Sequence, residues 1–132
     1  MNIEDDGKAI TRIEFGEQTA TQTHLTKEAQ KQLQEYFEGN RQTFDLPLNP
    51  RGTDFQKKVW NALLKIPYGQ TAAYKDIDPH APRAVGMACN KNPIAIVIPC
   101  HRVIGSNGNL TGYAGGLEFK KNLLNLEASQ VH

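Results

Sequence analysis

The residues best equipped for chemistry stand together. Cys100, His101 and Arg102 follow directly on Pro99 and on an unbroken apolar run, Ile94 to Ile98. A buried run that ends in a thiol, an imidazole and a guanidinium is costly to build for packing alone, because titratable groups are rarely buried without a partner or a task. A thiol is a strong nucleophile only as thiolate, and a nearby cation, a hydrogen-bond network or a helix N-terminus is what favours that form. His101 and Arg102 supply cationic character. Adjacent side chains on a helical turn do not face each other, so a direct Cys100–His101 pair is not expected and a bridging water would serve instead. A carboxylate should orient the imidazole, and Glu127 from the last helix is the candidate. Spacing alone leaves catalysis and a buried structural cysteine both open for Cys100. Cys89, among Val85, Met87 and Ala88, reads as core. Tyr74 and Arg83, taken singly, read as packing and surface residues.

The run before Pro99 reads as extended, with a helical turn starting after it. Upstream, Ala9 to Phe15 alternate well enough for a strand, and Asp6-Gly7 is a turn signal, so a hairpin arm is expected. Leu25, Ala29, Leu33, Tyr36 and Phe37 recur at helical spacing and Gly39 is a natural stop, giving a helix near 26–38. Phe44 to Gly52 is rich in proline and reads as a linker. Thr53 and Gln56 form a capping box for a helix whose face is Phe55, Val59, Ala62, Leu63 and Ile66, with Trp60 in the core and Pro67-Tyr-Gly69 as its end. Thr71 is the expected cap of a short helix carrying Tyr74 and Ile77. Pro82 then suits the first turn of a helix from Arg83 to about Asn90, and helix, tight turn and second helix make a helix-turn-helix. Asn90 to Pro93 is a turn, Gly105 to Asn109 a loop compatible with a wing, and Tyr113 to Gly116 a second Gly-rich turn. A helix from Leu117 to Glu127 closes the pattern, with Leu117, Leu123, Leu124 and Leu126 as its apolar residues.

A chain of 132 residues, 39% hydrophobic and 22% charged, suits a folded core rather than a disordered segment. It has no stretch long and apolar enough for a bilayer span and no signal-peptide core, so an intracellular protein without a membrane partner is expected. Two cysteines and four histidines (His24, His80, His101, His132) show neither a disulfide framework nor zinc-ligand spacing. The net charge of +1 is uneven: residues 1–50 carry five Lys/Arg and nine Asp/Glu, residues 51–132 ten and five. The second part can therefore face a polyanion, which the first cannot.

The motifs resemble one family. Ile98-Pro-Cys-His-Arg-Val103 resembles the active-site motif of the O6-alkylguanine-DNA alkyltransferases. Gly52-Thr-Asp-Phe-Gln56, Val59-Trp60, Ile66-Pro-Tyr-Gly69, Arg83-Ala-Val-Gly86, Asn92-Pro93, Gly112-Tyr-Ala-Gly-Gly116 and Leu123 to Glu127 are similar to that family in the same order, so the resemblance covers residues 41–127. It implies an α+β fold: a short strand-helix N-terminal part, a reduced RNase H-like unit over 1–45, a linker over 46–52, and a mostly helical winged helix-turn-helix-like unit over 53–132. The reduced unit would lack its usual opening strand and leave exposed sheet edges. The activity implied is direct, stoichiometric and irreversible transfer of an alkyl group from O6-alkylguanine in double-stranded DNA, and from O4-alkylthymine as a further substrate, to Cys100.

Other roles come with the resemblance. Arg83 would fill the space of a flipped base, with Ala84 and Gly86 letting its helix sit close in the minor groove. Tyr74 would press on the target phosphate and donate a proton to the leaving guanine. Asn92 and Pro99 would shape the active-site turn, and the carbonyls of Cys100 and Val103 would read the exocyclic amine. Tyr113, Ala114 and Gly115 would wall the pocket, a backbone N–H at Ala114 meeting the guanine oxygen. No cofactor or metal is implied, a monomer is expected, and the compartment would be cytoplasm, or nucleus in a eukaryote. The alternatives are a non-catalytic binder of alkylated DNA, which Cys100 argues against, and a Cys-His hydrolase or thiol oxidoreductase, which would turn over. Only eight residues separate Tyr74 from Arg83, a short connection for this family.

Overall fold

The structure, a computed structural model, describes residues 1–16, 22–108, 113 and 115–130. Strands β1 (Asn2–Asp5) and β2 (Ile10–Glu14) form the expected antiparallel hairpin, Ile3 opposite Ile13 and Asn2 opposite Glu14. Asp6 makes the turn, its carboxylate accepting from the backbone N–H groups of Lys8 and Ala9 while Gly7 takes φ +91°. Helix α1 (His24–Phe37) starts at a capping box between Thr23 and Thr26 and stops at Gly39, where φ is +80°. Its buried face is Ala29, Leu33 and Tyr36, extended by Thr26 and Gln32.

The outer edge of β2 is not bare. Ile10 N–H donates to Pro47 O at 2.8 Å, and Asn49 N–H donates to Ile10 O at 2.8 Å. Farther along the same edge, Ile13 N–H donates to Pro93 O and Ala95 N–H to Ile13 O, both at 2.9 Å. Two short parallel segments thus occupy the outer side of β2, and that edge of the sheet is met by pairing. The Pro-rich stretch supplies one of them. The other is the start of the Ile94 run itself.

Helix α2 (Asp54–Leu63) begins at the predicted Thr53–Gln56 capping box. Its Trp60 is 1% exposed and donates its indole N–H to Ala88 O at 2.9 Å, which fixes α2 against the helix that carries Arg83. The cap expected at Thr71 is instead Ala73, whose N–H donates to Asp76. Residues Ala72–Ala73 form a two-residue strand, β3, parallel to β4 (Val103–Ile104), and backbone pairing there displaces the side-chain cap. Helix α3 (Tyr74–Ile77) is a single turn, followed by α4 (Pro82–Asn90) with Pro82 in its first turn. The helix-turn-helix is present, with a first helix of one turn. The last helix, α5, spans Leu117–Gln130. Its inward face is Lys120, Leu123 and Glu127; Leu117, expected to be apolar core, is 49% exposed.

The Ile94 run departs most from expectation. All five residues are buried, yet they do not form a strand. Ile96 has φ +70° and lies between Ala95 O and Val97 N–H, which bond at 2.8 Å: a γ-turn of the rare positive-φ form. Ile98 N–H then reaches back to Ile94 O at 3.1 Å. Pro99, at φ −83° and ψ 62°, makes an inverse γ-turn closed by Cys100 N–H to Ile98 O at 2.8 Å. A 3-10 turn, Cys100–Arg102, follows as predicted. A β-branched residue at positive φ costs of order 1–3 kcal/mol and persists only where packing dictates it.

The Gly52 corner gives a direct test of this packing. A Cβ there would lie 2.5 Å from the Trp60 ring and 2.7 Å from the Gln56 side chain, so it would strike both the capping box and the core indole. Gly52→Ala should lose about 1–3 kcal/mol of stability by overpacking, read from the denaturant midpoint at unchanged m. A midpoint equal to that of the parent would show that the corner is loose.

Candidate active site

Glu127 is the hub of the site, and five donors converge on its 1%-exposed carboxylate. Its Oε2 accepts from Tyr36 Oη at 2.6 Å, His101 Nε2 at 2.7 Å and Arg102 Nη2 at 3.0 Å. Its Oε1 accepts from Arg102 Nε at 2.8 Å and from the Gly69 N–H at 3.2 Å. Burial alone would raise its pKa, but the bonds from His101 and Arg102 win and hold it at about 2, far below the usual carboxylate range. Arg102 is anchored further by Nη1 donating to Ile66 O at 2.7 Å, and its guanidinium lies 5.6 Å from the Tyr68 ring centre.

The predicted pairing of His101 with Glu127 is therefore present, and it settles the imidazole's chemistry. An ionised carboxylate on Nε2 requires a proton there, which leaves the lone pair on Nδ1. That atom is buried and finds no hydrogen-bond partner among the described residues. Desolvation lowers the pKa of His101 despite Glu127. Arg102 already balances the carboxylate, so a proton on the imidazole would leave the cluster with a net positive charge. The resting imidazole is neutral, a base rather than a cation.

Cys100 is 6% exposed. Burial pushes its thiol up; a hydrogen bond from Asn92 and the charge of Lys120 work the other way. Asn92 Nδ2 donates to Ile98 O at 2.9 Å and approaches Cys100 Sγ at 3.3 Å, while Oδ1 accepts from Ile94 N–H at 2.9 Å. One amide thus pins both ends of the γ-turn loop and touches the nucleophile, as expected for this residue. The source of cationic character is corrected. It is not His101, which is neutral, nor Arg102, which is committed to Glu127; the charge of Lys120 offsets the thiol's burial only in part, because burial lowers the lysine's own pKa. This buried lysine donates Nζ to Val103 O at 2.6 Å. Its place was legible in principle: Lys120, Leu123 and Glu127 share one helical face, so a Glu127 that points inward brings Lys120 with it.

Tyr113 stands with its ring centre 6.5 Å from that of His101 and 5.9 Å from that of Phe15. Phe15 also packs on Phe119 at 4.6 Å, and a Cβ on Gly115 would come within 2.7 Å of its ring. Phe15, at the end of β2, thereby backs the Gly-rich turn. Ala114, Gly112 and Asn109 lie outside the described residues. On the helix-turn-helix, Arg83 is exposed and Ala84 and Gly86 are half-buried. The Tyr74 ring lies near Gly86, close enough to meet an added Cβ at 3.7 Å, so the short connection still keeps Tyr74 beside α4. Cys89 is core as read, its thiol pushed up to about 12 by burial. Sequence reasoning missed Tyr36 as a site residue. It fits the apolar period of α1, and nothing in its spacing reveals that its hydroxyl meets a carboxylate 91 positions away.

Comparison with known proteins agrees with this geometry. The family model described as 6-O-methylguanine DNA methyltransferase, DNA binding domain, matches residues 54–129, and that of its ribonuclease-like domain matches residues 3–50. The chain is 54% identical over 129 residues to a methylated-DNA–protein-cysteine methyltransferase of Methanosarcina barkeri, covering 94% of this chain and 82% of the relative. It is 57% identical over 106 residues to the constitutive protein of the same description from Bacillus subtilis, covering 76% and 64%. Among solved structures, Mycobacterium tuberculosis OGT in complex with DNA superposes with a TM-score of 0.88 at 47% identity, covering 97% of this chain and 86% of that one.

The hub makes a stability prediction. Glu127→Gln leaves the Arg102 guanidinium buried without its counter-charge and should cost about 3 kcal/mol in denaturant unfolding at neutral pH. The carboxylate's pKa is depressed in the fold, so its stabilisation is complete above the ordinary value of 4.5 and is lost as pH falls toward about 2. The variant should therefore lose less stability than the parent across that acid window. Parallel acid curves for the two proteins would contradict the assignment.

Proposed function

The chain belongs to the 6-O-methylguanine DNA methyltransferase family, and from that membership we infer that it repairs DNA by direct reversal, moving the alkyl group of an O6-alkylguanine to an active-site cysteine. The acceptor is Cys100. The observation that carries the residue-level reading is the pairing of a buried thiol held by Asn92 with a neutral imidazole whose Nε2 proton is fixed by Glu127. The lone pair on Nδ1 is then the site that receives the thiol proton, by way of a bridging water. Cys100 Sγ attacks the alkyl carbon as the carbon–O6 bond breaks. The electron pair of that bond goes to the guanine, which takes up a proton from the Tyr74 hydroxyl; the tyrosinate regains a proton from water, and the imidazolium returns its own to water. The thioether on Cys100 is stable and the reaction needs no further reagent, so each molecule acts once.

The rest of the site supports this course. The carbonyls of Cys100 and Val103 each accept one protein hydrogen bond, from Val103 N–H and Lys120 Nζ, and a carbonyl has a second lone pair for the exocyclic amine of guanine. Tyr113 and Gly115 wall the pocket. Arg83, exposed near the start of α4, fills the gap left by the flipped base; Ala84 and Gly86 keep the helix slim for the minor groove. Double-stranded DNA carrying O6-alkylguanine is the partner, O4-alkylthymine a secondary substrate, and the protein works as a monomer wherever the DNA is, in cytoplasm or nucleus. Among the described residues no helix is long and apolar enough to cross a membrane.

Intact mass and peptide mapping after incubation with an O6-methylguanine oligonucleotide should show one methyl on Cys100, saturating at one per protein. Cys100→Ala should still bind the oligonucleotide and gain no methyl; a methyl found elsewhere in the variant would dismiss Cys100 as the acceptor. Arg83→Ala should slow repair of duplex DNA by about ten- to a hundredfold, the few kcal/mol that unstacking costs, while reaction with a free alkylguanine base changes little. Equal losses on both substrates would remove the base-flipping role.

A further inference from the structure

Tyr36 belongs to the N-terminal helix, yet it is fully buried and its hydroxyl donates to Glu127 Oε2 at 2.6 Å. That is the length of a strong hydroxyl-to-carboxylate bond. The same oxygen takes the His101 Nε2 proton at 2.7 Å. The ring is held by edge contacts with Phe37 at 5.6 Å and Tyr68 at 6.1 Å and by a tilted contact with Phe44 at 5.6 Å, so the hydroxyl has a fixed aim. We propose that Tyr36 is a positioning residue for alkyl transfer: by sharing Oε2 with the imidazole it limits how strongly Glu127 holds the His101 proton, and so sets the basicity of Nδ1. The proposal rests on the repair reading above and extends it to the N-terminal half, whose contribution to the chemistry becomes one hydroxyl group.

The direction of the effect follows from the donors on Glu127. Removing the tyrosine donor leaves more negative charge on Oε2 for the imidazole, and an imidazole facing a stronger negative charge is more readily protonated. The other groups facing this pair do not change: Arg102 and the Cys100 thiol on the active-site turn, Lys120 on α5, Tyr68 after α2, and Tyr113 on the Gly-rich turn. Transfer requires a neutral Nδ1, so its rate falls as pH drops through the imidazole's pKa. A more basic imidazole shifts that fall to higher pH.

The test is the pH profile of single-turnover methyl transfer from an O6-methylguanine oligonucleotide, for the full chain and for Tyr36→Phe, which keeps the ring and deletes only the hydroxyl. The acid limb should move up by about half a pH unit or more, with the rate recovering toward the parent value at the alkaline end. A purely structural role would lower the melting temperature and leave the limb in place, and coincident limbs overturn the proposal whatever the stability. If Tyr36→Phe does not fold, 3-fluorotyrosine placed at position 36 alone supplies a stronger donor and should move the limb down; an unmoved limb again overturns it. Transfer by the parent with coincident profiles removes this inference alone, whereas no transfer by the parent removes the repair reading and this inference with it.

Discussion

A buried carboxylate is the constraint on which the rest of this structure depends. Taking one ionised carboxyl group out of water costs several kcal/mol even after relaxation, and it is tolerable only if charge and lone pairs are both answered. Glu127 is answered by four residues from three places: Tyr36 on α1, the Gly69 amide after α2, and His101 with Arg102 on the active-site turn, all meeting a side chain of α5. None of these elements can shift without leaving the carboxylate short of a donor. The carboxylate that pairs with the imidazole is thus also one of the points at which the two halves are held together.

The halves divide this work unevenly. The second half carries Cys100, His101 and the helix-turn-helix. The first half lends support at three points: the β2 edge bonded to Pro93 and Ala95, the Phe15 ring behind Gly115, and the Tyr36 hydroxyl on Glu127. The first of these bears on strain. The run from Ile94 to Cys100 contains a positive-φ isoleucine and two γ-turns, conformations that an isolated peptide would abandon. It is held at its start by β2 and at both Ile94 and Ile98 by the Asn92 amide. Pinning at both ends replaces the regular hydrogen-bond ladder that these residues lack, and it fixes where Cys100 points.

What was legible in the sequence was the local and the periodic. The capping box at Thr53, the stop at Gly39, Pro82 at the head of α4 and the core role of Trp60 rest on fixed short spacings or on one helix face, and the pairing of His101 with Glu127 on the need of an imidazole for a carboxylate. The conformation of Ile94 to Ile98 was not legible. Five apolar residues say that a segment is buried, and a strand is the common way to bury it, but burial does not dictate backbone geometry. Tyr36 and Lys120 escaped for a related reason. Each occupies an inward helical position as an apolar residue would, and the polar atom at its tip finds a partner set by tertiary packing.

The resting state of Cys100 follows from the same burial. A thiolate is the better nucleophile, yet the site gives the thiol one amide and one lysine against a nearly complete loss of solvent, and desolvation wins. For a protein that spends its thiol in one reaction, this balance has a consequence. A standing thiolate would react with any small electrophile or oxidant that reached it, and each such event would remove a molecule for good. Here the proton stays on sulfur until a base can take it. His101 is kept neutral first by burial, with the charge of Arg102 acting in the same direction, and in the proposed reaction it is the group that accepts that proton. In the proposed reaction the nucleophile is therefore made at the moment of transfer, when the guanine departs and its new proton balances the one lost from sulfur.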